Sequence, residues 1–301
     1  MITITCDELN KLTTAGTGRC ATVYMLTKDR ILKMYDKGAR NSLSFVEKEF
    51  EISMACCKMG IPTAKPFDMY ECEGVYGASY EYVSGDTMFE LIKKGDCLDA
   101  QIKELARIGH DIHLKKADRG IFPKAASLFD KMLPYMEGWL SKEEYAHVNE
   151  LICAIPDRDN FIHGDFHPDN VITGDRGPIL IDAGGAGAGH PVFDFFSMYR
   201  LMKKAETSGD NNGIYTKIYE KYLEYYFGGL ELCEHRAALT GILDVFYYIS
   251  MVPSITAVFS ERSACDLKIA AYVDRMVDAL MSTSQEDFKK LFDAADDLFA
   301  L

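Results

Sequence analysis

His163-Gly164-Asp165-Phe166-His167-Pro168-Asp169-Asn170, followed by Ile181-Asp182-Ala183-Gly184, is the stretch on which the reading of this 301-residue chain turns. Asn170 lies five positions after Asp165, and Asp182 lies seventeen after it. One carboxylate can orient an attacking hydroxyl, while an amide and a second carboxylate supply hard oxygen ligands for magnesium on a nucleotide. Asp165 is therefore the candidate base, and Asn170 and Asp182 are the candidate metal ligands. Apolar runs at 160–163, 171–173 and 179–182 predict short strands around this loop, with Gly174-Asp175-Arg176-Gly177 turning between the last two. His163, His167 and Asp169 are expected to shape the loop. Their alternation with Asp165 also fits a second reading, a metal-dependent hydrolase holding zinc or a metal pair.

Working outward toward the N-terminus, residues 13–36 read as strand, tight turn and two more strands, with Lys28-Asp29 between the runs 22–26 and 30–35. Gly16-Thr17-Gly18 precedes the first of these runs, and glycine lets backbone N–H groups approach phosphate oxygens. Lys33 sits inside an apolar strand between Leu32 and Met34. A helix over 44–59, capped by Asn41 or Ser42 and ended by Gly60 and Pro62, carries Glu47, Glu49 and Glu51. Two strands near 67–72 and 75–83 turn at Glu73-Gly74, and Gly85 breaks the pattern.

Beyond Gly85 the predicted elements are mostly helices: 87–94, 99–116, 125–138, 142–155, 193–207, 212–227, 232–251, 263–282 and 285–299. Ser141 and Glu144 form a capping box for the fourth of them. Gly228-Gly229 ends the helix from 212. His113 is expected to be a packed, hydrogen-bonded helix residue. Asp194 is expected to cap its helix and tie it to the 163–170 loop.

With 48% hydrophobic and 26% charged residues, the chain can bury a large core. A net charge of −13 argues against nucleic acid as the main partner. Residues 1–84 carry 10 basic and 11 acidic side chains, and residues 85–301 carry 23 and 35. That acidic C-terminal part could attract a cationic acceptor. Nine scattered cysteines without a C-x-x-C point to reduced thiols in a cytoplasm. The charge-free run 245–260 contains Pro253 and reads as a buried helix and its end, so no membrane association is expected; no secretory signal is visible at the N-terminus.

The motifs together resemble the aminoglycoside phosphotransferase and choline kinase-like superfamily, relatives of the protein kinases. His-Gly-Asp-x-x-x-x-Asn at 163–170, Ile-Asp at 181–182 and Gly-x-Pro-x-x-Asp at 189–194 carry the resemblance, which runs from about residue 13 to 196. Against the protein-kinase pattern H-R-D-x-x-x-x-N and D-F-G, Gly164 replaces Arg and Ala183 replaces Phe, and no Ala-Pro-Glu segment follows. The resemblance implies an α+β, two-lobed protein kinase-like fold: a small β-rich N-lobe (1–84) and a larger, mainly helical C-lobe (85–301). The catalytic loop would span 163–182, and acceptor binding would fall to about 195–301.

It further implies transfer of the γ-phosphate of ATP or GTP, with Mg2+, to a hydroxyl of a small molecule, such as an aminoglycoside or another cationic amino alcohol or sugar. Gly16 and Gly18 would lie over the nucleotide phosphates. Lys33 would bind the α/β-phosphates, held by Glu49 with Glu47 in reserve. The Glu81 carbonyl and Val83 N–H would meet the base. Asp165 would be the base, and Asn170 and Asp182 would hold the metal. After Asp182 the chain reads Ala-Gly-Gly-Ala-Gly-Ala-Gly, a departure from the family pattern that suggests an unusually flexible metal loop. That departure keeps a third reading open, a kinase-like fold that binds nucleotide without turnover.

Overall fold

The computed structural model describes residues 1–18, 20–36, 41–95, 97–208, 213–228, 233–256 and 267–299. In chain order the first elements are β1 (Ile2–Thr3), α1 (Cys6–Asn10), β2 (Thr13–Thr17), β3 (Ala21–Thr27), β4 (Arg30–Tyr35), α2 (Leu43–Lys58), β5 (Pro66–Cys72) and β6 (Val75–Glu81). Next come β7 (Asp86–Thr87), α3 (Met88–Lys93), α4 (Leu98–His113), α5 (Ser127–Met132), α6 (Lys142–Ala154), β8 (Asn160–Ile162), β9 (Val171–Gly174), β10 (Gly177–Leu180) and β11 (Gly187–Gly189). The chain finishes with α7 (Val192–Ser208), α8 (Ile214–Tyr226), α9 (Cys233–Thr256), α10 (Leu267–Met281) and α11 (Gln285–Phe299). Arg19, Gly229 and the predicted helix starts at 212, 232 and 263 lie outside the described residues.

Two compact units result, residues 1–101 with 167–186, and residues 102–166 with 187–301. In the first unit a six-stranded sheet has the order β1-β5-β6-β4-β3-β2. Strand periodicity sorts β4 cleanly, because successive side chains point to opposite faces. Leu32 and Met34 join Tyr70 and Cys72 in one buried cluster, on which Ile4, Cys6, Leu9 and Leu12 of the N-terminal segment pack. Tyr35 joins Ala21, Val46 and Ala78 in another, which also draws in Phe45 and Phe50 of α2. The sheet is therefore covered by α2 on one face and by the N-terminal segment on the other. Ser42 caps α2 by accepting from the Phe45 N–H at 3.2 Å, an arrangement worth about 1 kcal/mol.

A second, three-stranded sheet in the same unit has the order β10-β9-β7. Gly85, at φ +142°, allows β7 to approach β9: a Cβ there would lie 2.3 Å from the Thr173 carbonyl oxygen. The Leu180 N–H donates to Pro62 O at 2.6 Å, tying β10 to the segment that follows α2.

The second unit is mainly helical, with β8 and β11 pairing antiparallel. Its aromatic centre is Phe246 on α9, whose ring centroid lies 4.8 Å from Phe129 and 4.9 Å from Phe193. Among the described residues one helical segment, His235–Ile255, is long and apolar enough to cross a membrane, and its most apolar stretch is mostly buried inside the protein. The predicted helix 125–138 divides in two: α5 ends at Met132, and a 3-10 turn covers Leu133–Met136. Pro134 has no N–H to continue the α-helical ladder. The reverse holds in α9, which runs through Pro253 to Thr256, past its predicted end at 251. The Ser250 and Ser254 hydroxyls donate to the carbonyls of Tyr247 and Ser250 around this proline.

Candidate active site

In the first unit Lys33 occupies a central strand, in register with Val23 of β3 and Ala78 of β6. Its Nζ lies 3.0 Å from Glu49 Oε1 and 2.5 Å from Asp182 Oδ1. Glu49 is buried on α2, whereas Glu47 and Glu51 are exposed and Glu51 pairs with Lys48. The carboxylate beside Lys33 is thus Glu49, and its other oxygen accepts from the Tyr35 hydroxyl. Burial pushes the Lys33 ammonium toward deprotonation; the two carboxylates more than offset this and leave its pKa raised above the ordinary lysine value. Tyr80, half-buried near Glu49, is shifted upward too, first by desolvation and then by that carboxylate.

Asp182 reaches Lys33 from a left-handed backbone conformation, φ 61° and ψ 40°, just after β10. Such a conformation is uncommon outside glycine, with Asp and Asn among the residues that tolerate it. Asn170 ends a 3-10 turn, Pro168–Asn170, and its carbonyl accepts from the Ile181 N–H at 3.0 Å. One hydrogen bond therefore brings Asn170 beside the residue preceding Asp182. The Asn170 side-chain amide lies 3.2 Å from His167 Nε2, so the imidazole holds the amide in place. The donor types, an amide oxygen and a carboxylate, suit a hard cation such as magnesium. Asp169 is half-buried, and desolvation raises its carboxyl pKa.

The segment after Asp182 is not the flexible loop that its composition suggests. A Cβ on Gly184 would lie 2.5 Å from Glu49 Cγ, one on Gly187 would lie 2.8 Å from Pro123 O, and one on Gly189 would lie 2.6 Å from Ala125 Cβ. Residues 186–189 are buried. These glycines are small because their neighbours press on the backbone, and only Gly185 of the run is exposed.

Gly16 lies in β2 next to a register shift against β3, and Gly18 donates its N–H to Ala21 O at 2.9 Å. Among the described residues, no atom other than those of Gly16 and its chain neighbours comes within 4 Å of a Cβ built on Gly16. Glu81 ends β6 with its N–H bonded to Lys65 O at 2.8 Å and its side chain paired with Arg176 at 2.5 Å. Val83 follows, half-buried, just beyond the strand.

In the second unit Asp165 sits in the loop after β8. The loop backbone is held by Asp194, fully buried in the first turn of α7. Asp194 accepts from the N–H groups of His163 at 2.8 Å and Gly164 at 2.7 Å, and its Oδ2 lies 3.0 Å from His113 Nε2. His113 is buried, and its Nδ1 lies 2.8 Å from the Tyr226 hydroxyl. The Asp165 carboxylate is half-exposed and lies 3.5 Å from Arg200 Nη2 of α7. Arg200 and Tyr35 are not among the candidates that the sequence offers, and Gly184 is there only as part of a flexible run. Only Tyr35 had a usable signal: it stands two residues after Lys33 on the same face of the strand. Among the described residues no group of three or more His, Cys, Asp or Glu is gathered so as to hold a metal, which removes the support for a zinc-type cluster at 163–169.

The chain belongs to the phosphotransferase enzyme family (APH), whose family model matches residues 11–237. The fold is that of solved members. The ADP-bound aminoglycoside phosphotransferase APH(2'')-Ib superposes with a TM-score of 0.58 at 17% identity, covering 94% of this chain and 96% of that one. The gentamicin complex of APH(2")-IIa gives 0.55 at 17%, covering 93% of each chain. A choline/ethanolamine kinase family protein from Mesorhizobium loti gives 0.57 at 16%, covering 95% of this chain and 92% of that one. No curated protein matches in sequence. The protein is thus a phosphotransferase-family chain of two-lobed kinase-like fold, with a sheet-rich N-terminal part and a larger helical C-terminal part.

Proposed function

We propose that this protein is a small-molecule kinase that transfers the γ-phosphoryl group of ATP or GTP to a hydroxyl of a small acceptor. The observation that carries this reading is Lys33, held between Glu49 and Asp182 within one unit. Phosphoryl transfer asks a protein mostly for positioning and charge neutralisation, and a fixed ammonium next to a metal-type carboxylate offers both. In this reading Lys33 binds the α/β-phosphates, and Glu49 with Tyr35 keeps the ammonium from swinging away. Asp182 and Asn170 are the residues that would hold Mg2+, which when bound neutralises charge on the phosphate oxygens. Gly16 and Gly18 lie over the phosphates, where the lack of a Cβ lets backbone N–H groups come close. The Glu81 carbonyl and Val83 N–H take the nucleotide base.

Asp165 orients the acceptor hydroxyl and accepts its proton. That role rests on the spacing to Asn170 and Asp182, and Asp194 supports it by fixing the backbone that carries Asp165. Residues 1–84 and 85–301 are the proposed lobes, with acceptor binding in the helices after about residue 195. The neighbours named for aminoglycosides and for choline or ethanolamine put amino sugars and amino alcohols first among acceptors to try. A cytoplasmic setting accords with the free thiols of the described cysteines.

The test is phosphate transfer from labelled ATP and GTP to a panel of aminoglycosides, macrolides, choline, amino alcohols and sugars. Transfer to at least one hydroxyl acceptor, abolished by Asp165→Ala and by Asp182→Ala, is expected. Undiminished turnover in Asp165→Ala would remove that residue from its role. Nucleotide binding with no transfer to any acceptor would favour the non-catalytic reading.

A further inference from the structure

The sheet of the first unit has a fastening point that the phosphotransferase chemistry does not use. Cys6 Sγ, in the first turn of α1, lies 3.4 Å from Cys72 Sγ, at the end of β5. Cys72 is buried and Cys6 half-exposed. Sixty-six positions separate them in sequence. The N-terminal segment that carries Cys6 begins as an edge strand, with Ile2 and Thr3 paired in parallel to Tyr70 and Glu71 of β5. It then crosses one face of the sheet on Ile4, Cys6, Leu9 and Leu12 and enters β2, at the opposite edge. Among the described residues, β1 has those two register pairs, followed by the Ile4 N–H bond to Glu71 O at 2.9 Å.

We propose that Cys6 and Cys72 are a closable thiol pair, a disulfide site formed by exchange with a low-molecular-weight disulfide of the glutathione type. The two sulfurs must approach from 3.4 Å to about 2 Å. An edge strand held by two register pairs can move that far, whereas β5 lies between β1 and β6 and holds still. Exchange starts at Cys6, the more accessible thiol. Its thiolate attacks one sulfur of the small disulfide, forming a mixed disulfide and releasing one small thiol. Cys72 then attacks the Cys6 sulfur, closing the protein bridge and releasing the second small thiol. The two protein thiols lose two protons and two electrons; the small disulfide takes up both and leaves as two thiols. The contact with Cys72, together with Glu73, pushes the Cys6 thiol up to about 11, so Cys6 carries little thiolate at neutral pH and starts the exchange slowly.

Closure would fasten both ends of the crossing segment: one end at β5 by the new bond, the other through its continuity with β2, the strand that bears Gly16. The experiment uses the full-length protein incubated with oxidised glutathione. Free thiols are then blocked and peptides mapped under non-reducing conditions. The exposed thiols Cys97 and Cys153 report that the oxidant has worked. The expected result is a peptide containing Cys6 linked to one containing Cys72, with the link removed by a reductant. Cys72→Ala should trap glutathione on Cys6, and Cys6→Ser should leave Cys72 unmodified because it is buried. In the oxidised protein, amide exchange over residues 2–17 should slow about tenfold or more. Glutathione on Cys97 and Cys153 with Cys6 and Cys72 still free would overturn the proposal. So would a Cys6 that takes glutathione without ever passing it on to the Cys72 link.

Discussion

The ammonium of Lys33 lies 2.5 Å from the Asp182 carboxylate, across 149 positions of sequence, and both belong to the same compact unit. The strand, the helix bearing Glu49 and the turn bearing Asp182 are therefore one local structure. Substitutions at any of the three should act together.

Lys33→Met should lower phosphate transfer by roughly 10²–10³-fold, the usual cost of removing one preorganised electrostatic contact. Asp182→Asn should lose as much, yet remain folded, because Asn tolerates the left-handed backbone that position 182 adopts. Steady-state kinetics paired with circular dichroism of each variant checks both statements. An unfolded Asp182→Asn protein would contradict the second.

Gly184→Ala places a methyl group 2.5 Å from Glu49 Cγ and 2.8 Å from its Oε2. Glu49 is pinned by Lys33 and Tyr35, so it cannot yield without releasing one of them. The expected cost is about 1–3 kcal/mol of stability, as for other overpacked sites. A double-mutant cycle with Glu49→Ala, read by urea unfolding, should show coupling between the two changes. Additive effects would mean that the contact is not the cause.

Asp194→Ala removes the acceptor of two backbone N–H groups and one imidazole from a fully buried position. Breaking such a buried network costs about 3–5 kcal/mol. Denaturant titration should show a loss of that order, with transfer activity reduced even in the fraction that stays folded.

His190 is buried and neutral in the folded protein: its Nδ1 accepts from the Val192 N–H at 3.1 Å, and its Nε2 lies 2.9 Å from Asp296. Desolvation lowers its pKa below the ordinary 6.5, although Asp296 pulls the other way. Unfolded chains take up a proton there near pH 6.5, whereas the folded one does so only at lower pH. Stability should therefore be fully present above about pH 6.5 and decline as pH falls through the next units. Asp296, held below the usual carboxylate range first by its bond from His190, adds a further loss in the same direction below about pH 4. Unfolding midpoints measured from pH 7.5 to 5 should slope downward in the wild type and less steeply in His190→Gln. Equal slopes would exclude His190 as the source.

Much of this architecture was legible in the sequence because strand and turn signals are local. The β3–β4 and β5–β6 hairpins, the Ser42 cap and the Ser141–Glu144 box follow from alternation, glycine turns and capping residues. β1, β7 and β11 span only two or three residues each, too short for any periodicity to register. The choice of Glu49 over Glu47 depends on which face of α2 meets the sheet, a tertiary fact. The glycines after Asp182 misled for a related reason: composition cannot distinguish a glycine that frees the chain from one that lets Glu49 or Pro123 come close. Arg200 carried no signal, since a half-exposed arginine on a helix is common and only the fold brings it to Asp165.

In the proposed function Lys33, Glu49, Asn170 and Asp182 form a magnesium-dependent nucleotide-phosphate site. Calorimetric titration of ATP and GTP, with and without Mg2+, into the wild type, Lys33→Met and Asp182→Asn tests it most directly. Tight binding by the wild type only with Mg2+, weakened at least tenfold in either variant, is the expected result. Equal affinity in all three proteins, indifferent to the metal, would contradict it.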